Sequence, residues 1–219
     1  MSAVVHKLNI KVPAYTLGEE LFNAISHGLG ALLSIAALAL MLLRAQGVKA
    51  VVCVSFFGAA MIVLYTVSCV YHALSHNVEG KKVMRVIDHC NVYALVLGTY
   101  LPASLLGVGG ALGWALFGVN AAFTALGMTL TAVSVDRFKA PQVVCHLVSG
   151  WSILLGIPQL LNTMGPLGVR FLLLGGVTYS LGSVLYGLGA RRKYMHCVFH
   201  IFCLLGTFFH FWGIYQYLL

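Results

Sequence analysis

An all-α bundle of seven transmembrane helices is the fold this sequence predicts, and three observations predict it. Charged residues make up 8% of the chain, against roughly 25% in a soluble globular domain. That is too little charge to cover a water-facing surface. Seven apolar runs, about 21–43, 50–74, 86–106, 112–133, 142–161, 170–189 and 196–218, each reach the ~20 residues that a helix rising ~1.5 Å per residue needs to cross a bilayer. The breaks between them are short and marked by charge, Gly or Pro: RAQGVK, SHNVEGKKVMR, GVGGALG, SVDRFKAP, NTMGPLGVR and ARRKYM. Residues 16–219 therefore read as one transmembrane domain, preceded by a short cytoplasmic segment, 1–15.

The first span has a readable start. Pro13 precedes it, Thr16 is the expected N-cap, and Glu19 stands three residues on as a capping-box partner. Glu20 then falls in the first turn. The first 20 residues hold Lys7, Asn9, Lys11, Glu19 and Glu20 and lack a continuous apolar core, so they do not read as a cleavable signal peptide.

The later spans follow in alternating directions, and basic residues set which way. With the N-terminus inside, the inner segments hold Lys7, Lys11, Lys81, Lys82, Arg85, Arg137, Lys139, Arg191, Arg192 and Lys193, and the outer ones hold Arg44, Lys49 and Arg170. That is ten against three. The positive-inside rule then puts the N-terminus in the cytoplasm and the C-terminus outside. The net charge of +8 lies in these loops, so nucleic acid is excluded as a partner. Six cysteines, Cys53, Cys69, Cys90, Cys145, Cys197 and Cys203, are scattered through apolar runs with no CxxC pair. They read as buried free thiols.

On this topology polar residues gather at one depth. Glu20, Asn23 and His27 share one face of the first span at i, i+3 and i+7. Ser68 and His72 lie one turn apart at the inner end of the second. Asp88 and His89 open the third, His146 stands in the first turns of the fifth, and His196 and His200 open the seventh. Singly, each has an ordinary reading: an interfacial His, a helix-terminal charge for Glu20, a back-bonded hydroxyl for Ser68. Jointly they predict one shared site, because ionisable groups inside spans are expensive and face a cavity and a partner. Two His at i, i+4 present both imidazoles on one face, and a third from another helix completes a catalytic-type zinc set. HCVFH supplies His196 and His200, and SCVYH supplies His72. A His/Asp proton relay fits the spacing too. His76, one turn beyond His72, reads as a solvated loop residue.

The strings EELFNAISHGLG, SCVYH, IDHC, HCVFH and HFWGIY, in this order, resemble the bacterial haemolysin III-like proteins, which belong with the progestin and adiponectin receptors and more distantly the alkaline ceramidases. The resemblance implies Zn2+ held by His72, His196 and His200. It implies that Asp88 holds the zinc-bound water with Ser68 beside it. Glu20, Asn23, His27 and His89 would support these groups from behind. It also implies a bacterial plasma membrane, with a membrane lipid as substrate or ligand. The expected activity is zinc-dependent hydrolysis of a lipid amide or ester. The alternatives are a non-enzymatic regulator of membrane lipids with a structural zinc clamp, and a cytolytic or pore protein. A hydrolase needs an acyl-sized slot that reaches the metal, whereas a clamp does not.

Overall fold

The computed structural model describes residues 10–76, 78–189 and 192–219. Lys7 and Arg191, both counted in the charge asymmetry, lie outside the described residues, as does most of the N-terminal segment. Every regular element among the described residues is a helix, with no strand: α1 Leu17–Arg44, α2 Gly47–Ala73, α3 Glu79–Pro102, α4 Gly110–Val133, α5 Lys139–Trp151, α6 Ile157–Gly189 and α7 Met195–Tyr217. A π-turn, Ala103–Val108, extends α3, and a 3₁₀ turn, Ser152–Gly156, joins α5 to α6.

Helix α1 begins as its sequence dictates. Thr16 accepts from the Glu19 backbone N–H, and the Glu19 carboxylate accepts from the Thr16 N–H at 2.9 Å. Helix α3 starts earlier than the apolar run at 86, at Glu79, where Glu79, Lys81, Lys82, Met84 and Arg85 favour helix enough to offset Gly80.

Among the described residues six helices are long and apolar enough to cross a membrane, where the sequence reading has seven. The difference lies in the stretch Lys139–Gly187, which counts as one 49-residue span. Straight, it would measure roughly 74 Å, over twice a hydrocarbon core of ~30 Å. It is not straight. At Gly165 the backbone turns to φ 66°, ψ 176°, where two helices meet at a kink with Pro166 following. Trp151 Nε1 then donates to Ser180 Oγ at 3.0 Å, although 29 residues along one continuous helix would part them by roughly 43 Å. The chain doubles back at Gly165, a conformation that a Cβ would oppose.

Lipid tails are as apolar as Leu, so helix association in a bilayer rests on close packing and internal polar contacts. Gly98 of α3 is one such approach: a Cβ there would lie 2.7 Å from Ala60 Cβ and 3.4 Å from the Phe56 carbonyl of α2. The apolar core joins Val54, Phe57, Met61 and Leu64 of α2 to Leu160, Met164 and Leu172 of α6 and Ile214 of α7. Tyr65 binds the Cys203 carbonyl at 3.1 Å and reaches Thr207, tying α2 to α7. Apolar side chains such as Leu33, Leu43, Trp114 and Leu155 face outward, exposed. All six cysteines are free, four of them buried.

Candidate metal centre

The N-terminal ends of α1, α3 and α7 and the C-terminal end of α2 meet at one end of the bundle. There His72, His196 and His200, all buried, bring one ligand atom each to within 4.8 Å of one another, a group that could hold a metal ion. His196 and His200 stand one turn apart, Nε2 to Nε2 at 3.2 Å. His72 comes from 124 residues earlier in the chain. Its Nε2 and the Nδ1 of His200 find no hydrogen-bond partner among the described residues. Buried polar atoms are nearly always paired, so an orphaned His72 Nε2 beside the close His196–His200 pair suits a cation.

The Nδ1–H of His72 is held from behind: it donates to Glu20 Oε2 at 2.6 Å. The other oxygen of Glu20 accepts from Lys81 Nζ at 2.5 Å. A carboxylate on the far nitrogen of a metal-ligating imidazole fixes its tautomer and orientation. Asn23 is fully buried and His27 nearly so, with no partner among the described residues for their side-chain N and O atoms. The His27 ring stacks on His200 with centroids 3.7 Å apart. Glu20, Asn23 and His27 thus share the face their spacing predicts.

Asp88 and Ser68 face each other on the wall of a cavity that His27, His196 and His200 also line. His89 lines the cavity but stands outside the three-His group, its Nε2 meeting the Tyr186 hydroxyl at 3.0 Å and its Nδ1 lying 3.8 Å from Asp88. His146 lines the same cavity but stacks on Tyr93 at 3.6 Å, outside the three-His group. His76 is exposed beyond the end of α2.

Three features escape sequence reasoning. Lys81 is buried, although its string reads as a basic loop. Tyr15, before α1, stacks on His196 with centroids 4.9 Å apart. Arg85 grips the Asp136 carboxylate with both terminal nitrogens, at 2.9 and 3.0 Å, and donates to the Lys11 carbonyl. It thereby pins the entry segment before α1 and the α4–α5 turn to α3. That grip holds the Asp136 carboxyl down at about 2, so the pair stays ionised at any neutral or mildly acidic pH. None of these contacts has a local sequence signature; they link residues 51 or more positions apart.

The cavity has a volume of about 350 Å³. It runs between α3, α5, α6 and α7, from Asp88 and His200 past Val92, Val96 and Leu172 to Tyr100 and Ala103. From 88 to 103 a helix advances roughly 22 Å, more than one leaflet of a hydrocarbon core ~30 Å thick.

A family model described as haemolysin-III related matches residues 15–211. The Hemolysin-3 of Bacillus cereus is 33% identical over 204 residues, covering 92% of each chain. The Hemolysin-3 homolog of Bacillus subtilis is 32% identical over 196 residues, 88% of this chain and 91% of that one. The adiponectin receptor protein of Drosophila melanogaster is 24% identical over 193 residues, 73% of this chain and 40% of the receptor.

Proposed function

The chain belongs to the haemolysin III-related family, and from that premise we propose that it is an integral membrane protein that hydrolyses a lipid amide or ester at a zinc site. The observation that carries this reading is the cavity. An apolar slot starts at His196 and His200, two of the three imidazoles, passes Asp88 and Ser68, and continues along α3. A metal that only clamps helices needs no such slot, and a conducting pore needs a polar lining that Val92, Val96 and Leu172 do not give.

The donor set suits zinc. Two tetrahedral ligands at ~2.0–2.1 Å from a shared ion stand roughly 3.3 Å apart, close to the 3.2 Å between His196 and His200. Zinc held by three neutral imidazoles keeps its +2 charge and supplies a polarised carbonyl and a water of pKa ~7. The protein's own groups do the rest. Asp88 accepts and orients the proton of the attacking water. Ser68 donates to the oxygen that gains charge. Glu20, bonded to His72, and His27, stacked on His200, hold the imidazoles in place, and the slot takes the acyl chain. The test is zinc per chain in the purified protein, with fatty-acid release from a panel of lipid amides and esters. Stoichiometric zinc and hydrolysis that a chelator removes are expected. Zinc without hydrolysis of any member would rule out the enzyme.

The fold-back at Gly165 makes Lys139–Gly187 two crossings in this reading, giving seven. The end that carries Lys81, Arg85, Arg137, Lys139 and Lys193 is then cytoplasmic by the positive-inside rule, in a bacterial plasma membrane. A membrane-impermeant thiol reagent applied to whole cells should label Val48→Cys, at the exposed start of α2, and spare Gly80→Cys. The opposite pattern would place the metal site on the outer face.

A further inference from the structure

We propose that Lys81 is the positioning residue of the metal centre: acting through Glu20, it fixes the His72 ring so that Nε2 is the atom left for the metal. The inference rests on the zinc reading above and adds a residue to it. Lys81 has a neighbour of the same type for comparison. Lys82, one position on, is 34% exposed and pairs with Glu79, as a surface lysine does, whereas the Lys81 side chain is 1% exposed. Burying an ammonium is costly unless it is paired, so its partners show what the burial is for.

Those partners all surround His72. Lys81 Nζ donates to Glu20 Oε1 at 2.5 Å and to the Leu74 carbonyl at 2.8 Å, and it lies 5.3 Å from the Tyr71 ring. Tyr71 and Leu74 flank His72 in the chain. Leu74 is the C-cap of α2, where unpaired carbonyls favour a cation. One ammonium thus fastens the last turn of α2 from both sides of the ligand. It also balances the carboxylate that grips the ligand's ring. Glu20 divides its oxygens, Oε2 to His72 and Oε1 to Lys81. Without Lys81 a largely buried anion would lose its counter-charge. It would then turn toward water and release His72 Nδ1–H, leaving the ring free to take either tautomer.

This differs from a packing role in what it expects of a double substitution. An amide at position 20 can still accept from His72 Nδ1–H, and it needs no cation. Lys81→Met should therefore weaken Zn2+ binding by about 10–100-fold, the usual cost of losing a group behind a ligand. Lys81→Met combined with Glu20→Gln should recover most of that loss. The double variant should also bind Zn2+ at least as tightly as Glu20→Gln alone, where Lys81 is left without its anion. A lysine that only packs would make the double variant the worst of the three.

The measurements are Zn2+ affinity by chelator competition and the His72 tautomer in metal-free protein by ¹⁵N NMR, its signal identified by loss in His72→Ala. The unmutated protein should show Nδ1–H at His72, the Lys81→Met variant a mixture, and the double variant Nδ1–H again. A His72 tautomer indifferent to Lys81, or a double variant weaker than both singles, overturns the proposal even if zinc binds. A tautomer that follows Lys81 in a protein that takes up no Zn2+ supports the positioning role and overturns the zinc reading instead. Should Lys81→Met fail to accumulate, the comparison of the double variant with Glu20→Gln still decides.

Discussion

Replacing either α7 imidazole, in His196→Ala or His200→Ala, is expected to take the purified protein from one zinc per chain to almost none. The two rings stand 3.2 Å apart with His72 as the third donor. Removing one leaves two imidazoles, which hold zinc weakly once water fills the other positions. The loss should extend to stability. The site joins α2 to α7 across 124 residues, and a ligand that binds only the folded state adds about 4 kcal/mol at a thousandfold excess over its dissociation constant. Both variants should therefore melt lower than the unmutated protein in zinc and at similar temperatures in a chelator. His76→Ala, at an exposed position beyond α2, should change neither quantity. One zinc per chain in purified His196→Ala protein would show that the ligand set has been misassigned.

Asp88→Asn should lower hydrolysis by about 10²–10⁴-fold, the range for loss of a general base, while zinc stays bound. Asp88 opens onto the cavity with 16% of its side chain accessible and lies outside the group of converging ligand atoms. A carboxylate in that position can hold and deprotonate water without closing the coordination shell. Asn keeps the size and one acceptor oxygen but cannot take the proton, so the chemistry is removed and the packing is not. Had Asp88 been the fourth ligand of a closed clamp, the same change would cost zinc and melting temperature together. No hydrolysis would then be seen in the unmutated protein either. Measuring zinc content, thermal stability and hydrolysis on one preparation separates these outcomes.

The parts of this site that the sequence reveals are those written at helical spacing. Ser68 with His72, His196 with His200, and Glu20 with Asn23 and His27 each recur at three, four or seven residues, so one helix brings each set together whatever its neighbours do. Lys81 was beyond reach for the opposite reason. Its burial depends on where α1 and the end of α2 lie, and the chain around it, Glu79–Arg85, has the composition of a solvated basic turn. The Arg85–Asp136 pair and the stacking of Tyr15 on His196 are likewise products of tertiary approach. The cavity is a shape left between α5 and its neighbours, and no residue pattern encodes an absence of atoms. The fold-back at Gly165 is intermediate. The string NTMGPLGVR marks a break, but only the contact between Trp151 and Ser180 shows that the chain reverses there.

The distance in sequence between the ligands also orders events as the chain is made. At about 5–20 residues per second, the 124 residues from His72 to His196 take roughly 6–25 seconds to emerge from the ribosome. For all but the first nine residues of that interval α1, α2 and the start of α3 are already present, so Glu20 and Lys81 can take hold of the first imidazole while the other two have yet to be synthesised. On the zinc reading, metal capture then waits for α7 to insert. A nascent chain offers a stray ion one restrained histidine, and the full chelate closes only around a completed bundle.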